Sequence, residues 1–366
     1  VQSHADSDRR HKACTFSNTL CTSALRVSLP AMENDARGSQ GQARRFLHVF
    51  ALLFFIGGIA FYFGGPILFG KGKIAGCRAG HYSTDVYLAY CASPGYGDVE
   101  HGLMYFDMDP VVHDAVTRAE LVVLGNSITQ FAFSTEAARQ TLSAKMLPYY
   151  LLGFAYFETI DFARILTARL KLRPRIAIIN ADEYFWSSKI SAPAQTLLSG
   201  SPSSRMIYSE KLAWQSLHSA ICGSSFGHKL KFCGDTLTIF RARNDGSWVG
   251  LEDWNLPSQP LYPSAQAAPV SEAENRGRAA KAATLVKSLE IPSHCLVVTN
   301  VPNEKTAPDE GRRLAELAGA TYIAPAINGV RTIDGIHLEQ DTAERWSREF
   351  LTQLLAKVGD CFTQTR

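Results

Sequence analysis

Apolar and polar positions divide the chain into three regimes. Residues 1–45 are polar and aperiodic, which predicts a disordered tail, with Met32 read as the true start and residues 1–31 as an upstream extension. Residues 46–69 form an apolar run in which His48 is the one strongly polar member, long enough to cross a bilayer as a helix. The run exceeds the apolar core of a signal peptide, and its Gly64-Gly65-Pro66 end lacks a small-x-small cleavage pattern, so a retained anchor is expected. From about residue 117, short apolar runs alternate with amphipathic stretches, the pattern of βαβ units around a parallel sheet.

Within that third regime the pattern predicts strands over 121–124, 147–152, 176–179, 296–298 and 321–323. Helices are predicted over 134–145, 157–172, 309–318 and 342–357, the last opened by a capping box from Asp341 to Glu344. The rhythm breaks over 186–288, where Ser, Pro, Gly and Trp dominate, so one large insertion is expected in an α/β domain spanning 117–358. Residues 70–116 are rich in Gly, Tyr and turn chemistry and read as a stalk or lead-in that packs on the domain, and residues 359–366 as a tail.

Composition narrows the function. A net charge of +3, from 37 basic and 34 acidic residues without a concentrated basic face, excludes nucleic acid as the expected partner. Arg37, Arg44 and Arg45 before the apolar run are balanced by Lys71, Lys73 and Arg78 after it, so charge leaves the orientation open. Cysteine usage is more informative: Cys77, Cys91, Cys222, Cys233, Cys295 and Cys361 all follow the run, an even number with no CxxC spacing. Cys77 with Cys91, and Cys222 with Cys233, would each close a short loop as disulfides, although sequence leaves connectivity open. The expectation is a single-pass protein of the cytoplasmic membrane whose carboxy-terminal domain is extracytoplasmic (periplasmic).

Two short motifs carry possible chemistry. In open parallel sheets ligands bind at the carboxyl ends of strands, and the loop after the first core strand reads Gly125-Asn126-Ser127-Ile128-Thr129. A serine there, beside a helix amino terminus, is a candidate nucleophile; alone it is equally a polar turn or cap. Serine needs a base, and the base an orienting group. Asp334-Gly335-Ile336-His337, just before the last helix, lets a carboxylate reach one imidazole nitrogen while the other faces outward.

A G-[DN]-S loop after the first strand together with a terminal D-x-x-H resembles the first and last motif blocks of the SGNH (GDSL-like) superfamily of esterases, lipases and O-acyltransferases. That resemblance, over about 120–357 apart from the insertion, implies a three-layer α/β/α sandwich with a central, mostly parallel sheet. It implies Ser127 as nucleophile, His337 as base and Asp334 as its orienting carboxylate. Gly153, in Leu151-Leu152-Gly153-Phe154, matches the second block, whose N–H joins that of Ser127 in an oxyanion hole. The third block, G-x-N-D, departs: Ile179-Asn180-Ala181-Asp182 puts Asn180 one residue from the oxyanion position, and one lost donor costs on the order of a hundredfold in rate.

Membrane-anchored relatives with a similarly loose third block act on O-acetyl groups of cell-envelope polysaccharides, so the resemblance implies an acylated carbohydrate as partner. Trp186, Trp214, Trp248 and Trp254 of the insertion are candidates for stacking on sugar rings, or for anchoring an irregular cap. The histidines are scattered and no phosphate-binding glycine loop is present, so neither a metal nor a cofactor is expected. The competing expectation is a glycan-binding or assembly subunit that keeps the fold without catalysis. In it the oxyanion hole has drifted, and a His337 that faces away from Ser127 would decide for it.

Overall fold

The computed structural model describes residues 36–68, 77–78, 80–91, 99–155, 158–224, 233–234, 237–251, 257–262, 270–305 and 308–363. The chain divides into two compact units, residues 1–62 and 63–366. Helix α1 (Ala36–Leu68) is continuous over 33 residues, about 50 Å at the α-helical rise. It begins before the apolar run because Ala, Arg and Gln in residues 36–45 are good helix formers, which corrects the disorder expected there. The expectations for residues 1–35 lie outside the described residues. Gly41–Ile59 is long and apolar enough to cross a membrane, and Phe46, Phe50, Leu53 and Phe54 on it are exposed.

The second unit begins with β1 (Val86–Cys91), α2 (Val99–Tyr105) and α3 (Pro110–Arg118). Alternation follows: β2 (Leu121–Asn126), α4 (Ser127–Phe133), α5 (Glu136–Ala144), β3 (Tyr149–Phe154), α6 (Ile160–Arg169) and β4 (Ile176–Asn180). Then come α7 (Ala192–Leu198), α8 (Pro202–Cys222), β5 (Thr238–Ala242), β6 (Trp248–Val249), β7 (Gln259–Pro260) and α9 (Glu272–Leu289). The chain closes with β8 (Leu296–Thr299), α10 (Pro308–Ala318), β9 (Thr321–Tyr322), β10 (Arg331–Thr332), α11 (Gln340–Lys357) and α12 (Gly359–Thr363).

The main sheet is parallel, in the order β3-β2-β4-β8-β9. Every residue of β2, β3, β4 and β8 is buried, which is why these strands read as continuous apolar runs rather than alternating ones. The step from β2 to β3 runs one way across the sheet, and the steps to β4, β8 and β9 run the other way. Right-handed crossovers therefore put α4 and α5 on one face and α6, α9 and α10 on the opposite one. Packing agrees: α11 lies against α4 and α5, and α9 against α6 and α10. The reversal at β2 opens a crevice at its carboxyl end, the place for a ligand in such sheets.

The lead-in, expected to pack on the domain, contributes a strand to it: β1 pairs antiparallel with β5, which in turn pairs with β6. Two segments differ from expectation. The break in rhythm ends before α9, which is the crossover helix leading to β8. Its buried stripe includes Ala279 and Ala282, too small to register as an apolar period. Residues 359–363 form α12, pinned by a disulfide from Cys361 to Cys295 at the start of β8. Disulfides also join Cys77 to Cys91 and Cys222 to Cys233.

Candidate active site

Strand β2 ends at Asn126, and the chain turns directly into α4, with Ser127 as its first helical residue. Asn126 makes this turn: its Oδ1 accepts the Ile128 N–H at 3.0 Å, one of the amides left unpaired at any helix start. Ser127 is half-buried at the carboxyl end of β2.

The second half of the site is the turn over 332–338. Thr332 and Leu338 form an antiparallel bridge, and His337 O accepts the Ile333 N–H at 3.0 Å. At its tip Gly335 has φ +81°, a conformation in which an L side chain is strained. Its carbonyl accepts the Glu304 N–H at 2.8 Å, which pins the tip to the segment after β8. Asp334 Oδ1 accepts the N–H groups of Ile336 and His337 at 3.0 and 2.8 Å. Its Oδ2 lies 2.7 Å from His337 Nδ1, and His337 Nε2 lies 2.8 Å from Ser127 Oγ.

Chemistry fixes the proton positions in this chain. Partial burial works against ionisation of Asp334, but the donors of His337 and Ile336 outweigh it and hold the carboxyl at about 2. An ionised carboxylate only accepts, so His337 Nδ1 carries the proton and donates it. In the neutral ring Nε2 is then the lone-pair nitrogen, to which the Ser127 hydroxyl can donate. Ser127, His337 and Asp334 therefore form one hydrogen-bonded chain, the arrangement that a nucleophile, a base and an orienting carboxylate would need.

What brings residues 210 positions apart together is the packing of α11 on α4 and α5. Phe133, on the helix that Ser127 starts, meets Trp346 and Phe350 edge-on, with ring centroids 5.4 and 5.1 Å apart. Both α11 residues are fully buried. Thr135 Oγ1 and Ser347 Oγ lie 2.8 Å apart beside them. The capping box expected at Asp341 is not formed: Glu339 caps α11, its carboxylate accepting the Thr342 N–H at 3.2 Å. Glu344 instead accepts the Glu136 and Ala137 N–H groups, each at 2.7 Å, and so caps α5 across the interface. The Phe131 ring lies 4.6 Å from that of His337 and limits its motion on one side.

Gly153 lies within β3, in register with Gly125, rather than in the loop beyond the strand. An ideal Cβ on it would come within 2.6 Å of Gln130 Cγ and 2.8 Å of Asn126 O, so glycine is what lets β3 approach the β2–α4 turn. Asn180 is buried, and its amide is engaged at both ends: Nδ2–H donates to Asp182 Oδ2 at 3.0 Å, and Oδ1 accepts the Val301 N–H at 2.9 Å. Asp182, also buried, is pushed up to about 6 by that burial despite its hydrogen bonds.

Sequence reading missed the pair beneath β3. Glu100, from the predicted stalk, and Arg241, from the insertion, form a fully buried ion pair at 2.8 Å. Arg241 donates to the carbonyls of Gly153, at 3.0 Å, and Leu151, while Glu100 accepts the Ala155 N–H at 2.9 Å. An acid in a segment without period and an arginine inside a strand-like run were the available signals. The tryptophans resolve similarly: Trp248 Nε1–H donates to Glu100 and Trp186 Nε1–H to Asn180 O, both at 3.1 Å, so these two buried rings anchor the cap and present no stacking face. Trp214 is half-buried on α8, and Trp254 lies outside the described residues.

Among the described residues two clusters have metal-ligand composition, His218 with Cys222 and Cys233, and His294 with Cys295 and Cys361. Each contains both halves of a disulfide, whose sulfurs are not thiolates and do not ligate a metal in this state. No family model matches the chain, and neither does any curated protein or solved structure.

Proposed function

We propose that the second unit is a serine esterase or O-acyltransferase of the SGNH type, acting on an acylated carbohydrate of the cell envelope. The observation that carries this reading is the pair of contacts at His337: Ser127 Oγ at 2.8 Å on Nε2 and the ionised Asp334 at 2.7 Å on Nδ1. In the reaction Ser127 Oγ attacks the acyl carbonyl while Nε2 takes its proton. The tetrahedral intermediate collapses, the C–O bond to the sugar breaks, and the leaving alkoxide takes the proton from Nε2. Water, or a second sugar hydroxyl, then attacks the acyl-serine and Nε2 accepts its proton; the second tetrahedral intermediate collapses, the acyl–Oγ bond breaks to release the acid or the new ester, and Nε2 returns the proton to Ser127 Oγ. The backbone N–H groups of Ser127 and Gly153, and the second amide hydrogen of Asn180, whose first goes to Asp182, are our candidates for the oxyanion.

The cellular setting rests on α1, apolar enough to span a membrane, and on three disulfides, which favour an oxidising compartment. We read them as a membrane anchor followed by an extracytoplasmic, periplasmic domain. A His337 facing away from Ser127 would have favoured the glycan-binding alternative, and the 2.8 Å contact supports the catalytic reading instead. The test is reaction with a serine-directed fluorophosphonate: the folded wild type should label and Ser127→Ala should not. A folded wild type that stays unlabelled removes the proposal. Turnover of an acetyl ester with and without glycan acceptors then separates hydrolysis from transfer.

A further inference from the structure

Asp182 is a carboxylate that the reaction above does not use. It is 4% exposed and accepts four N–H groups from three parts of the chain. Oδ1 accepts Asn126 Nδ2–H at 3.0 Å and the N–H groups of Tyr184 and Phe185 at 3.1 and 3.0 Å. Oδ2 accepts Asn180 Nδ2–H at 3.0 Å, and Asn180 reaches on to Val301 after β8. The carboxylate thus ties together the carboxyl ends of β2 and β4 and, through Asn180, β8.

Its link to Asn126 has a directional consequence. An amide side chain can present either its oxygen or its NH2 group, and an ionised carboxylate accepts only from the NH2. Asp182 therefore selects the rotamer in which Asn126 Oδ1 is left for the Ile128 amide. That cap sets the first turn of α4, whose first residue is Ser127. We infer that Asp182 is a positioning residue that acts through Asn126 to hold Ser127 at the angle from which its hydroxyl meets His337. The inference rests on the reading of Ser127 as nucleophile. A buried carboxylate is costly, and an apolar group of similar size often serves stability as well, so a purely structural role accounts poorly for a charge there. Its position at about 6 shows how strongly burial opposes the ionised form that this hydrogen bonding requires.

The experiment compares wild type, Asn126→Ala, Asp182→Ala, Asp182→Asn and the double variant Asn126→Ala/Asp182→Ala. It measures kcat and KM on an acetyl ester, fluorophosphonate labelling rate and thermal midpoint. Misplacing a nucleophile by about 1 Å costs on the order of a hundredfold, so each alanine variant should lose roughly 10- to 100-fold in kcat and labelling, with KM within about twofold. Asp182→Asn keeps an acceptor for Asn126 and should recover part of the loss. The double variant should be no slower than the slower single one, because both cut the same link. If Asp182→Ala does not fold, Asn126→Ala and Asp182→Asn are judged by the same kcat-against-KM split. Multiplicative losses in the double variant, or single variants labelling at the wild-type rate, overturn the positioning role while Ser127 remains the nucleophile. A folded wild type that never labels overturns both.

Discussion

Gly335→Ala tests whether the turn that carries Asp334 and His337 is what aligns them. The backbone at Gly335 has φ +81°, and an ideal Cβ there would lie 2.5 Å from Glu304 Oε2 and 2.8 Å from its Cδ. Holding an L residue in the left-handed region costs about 1–2 kcal/mol. The Glu304 carboxylate is the end of a flexible side chain and can swing aside, so the clash adds little beyond that strain. If the turn relaxes instead, Asp334 and His337 move, and 1–2 kcal/mol appearing in the barrier is a loss of roughly 5- to 30-fold. Gly329→Ala is the matched control: φ is +63° and nothing lies within 4 Å of its Cβ. Guanidinium unfolding should show both variants destabilised by about 1–2 kcal/mol, while only Gly335→Ala slows fluorophosphonate labelling. Equal labelling rates for the two variants, at equal stability loss, would show that Gly335 is a fold requirement with no part in aligning the site.

Further predictions concern the disulfides and the buried acids. Cys295 and Cys361 are separated by 66 residues, so chain entropy predicts that Cys295→Ser/Cys361→Ser loses about 4 kcal/mol, read by denaturant midpoint; an unchanged midpoint refutes this. Asp334, held at about 2, contributes stability that is present above the ordinary carboxyl range and lost as pH falls through 2, discounted for its half exposure. Asp182, raised to about 6, acts in the opposite sense: its contribution is fully present below about pH 4 and lost as pH rises through 6, on the order of 3 kcal/mol. Unfolding free energies between pH 4 and 7 should show that decline in wild type and not in Asp182→Asn.

The buried strands were legible because a parallel sheet covered on both faces demands unbroken apolar runs, as in 121–124 and 176–179. Ser127 and the Asp334–His337 spacing were legible because each motif is local. What escaped the sequence is long-range. Glu100 and Arg241 are 141 residues apart, and the pairing of β1 with β5 joins segments with no shared period. Helix α9 escaped because Asn275, Arg278, Ala279 and Ala282 share its buried face with Leu285 and Leu289 and dilute the apolar period. The departure at the third motif leaves the role of Asn180 open in sequence, and its links to Val301 and Asp182, which tie strand ends together, come from segments far apart or off the motif. Glu344 was assigned to the start of its own helix but caps another one, from a position 208 residues away from Glu136.

The separation of 210 residues between Ser127 and His337 also has a meaning in time. A chain made from its amino terminus carries the serine long before the imidazole exists. Until then the serine is an ordinary alcohol, with no base to take its proton. Even after His337 is made, α11 must dock its Trp346 and Phe350 against Phe133 before the two meet. On the proposed mechanism reactivity therefore waits on that docking, and a product truncated before residue 334 would not react.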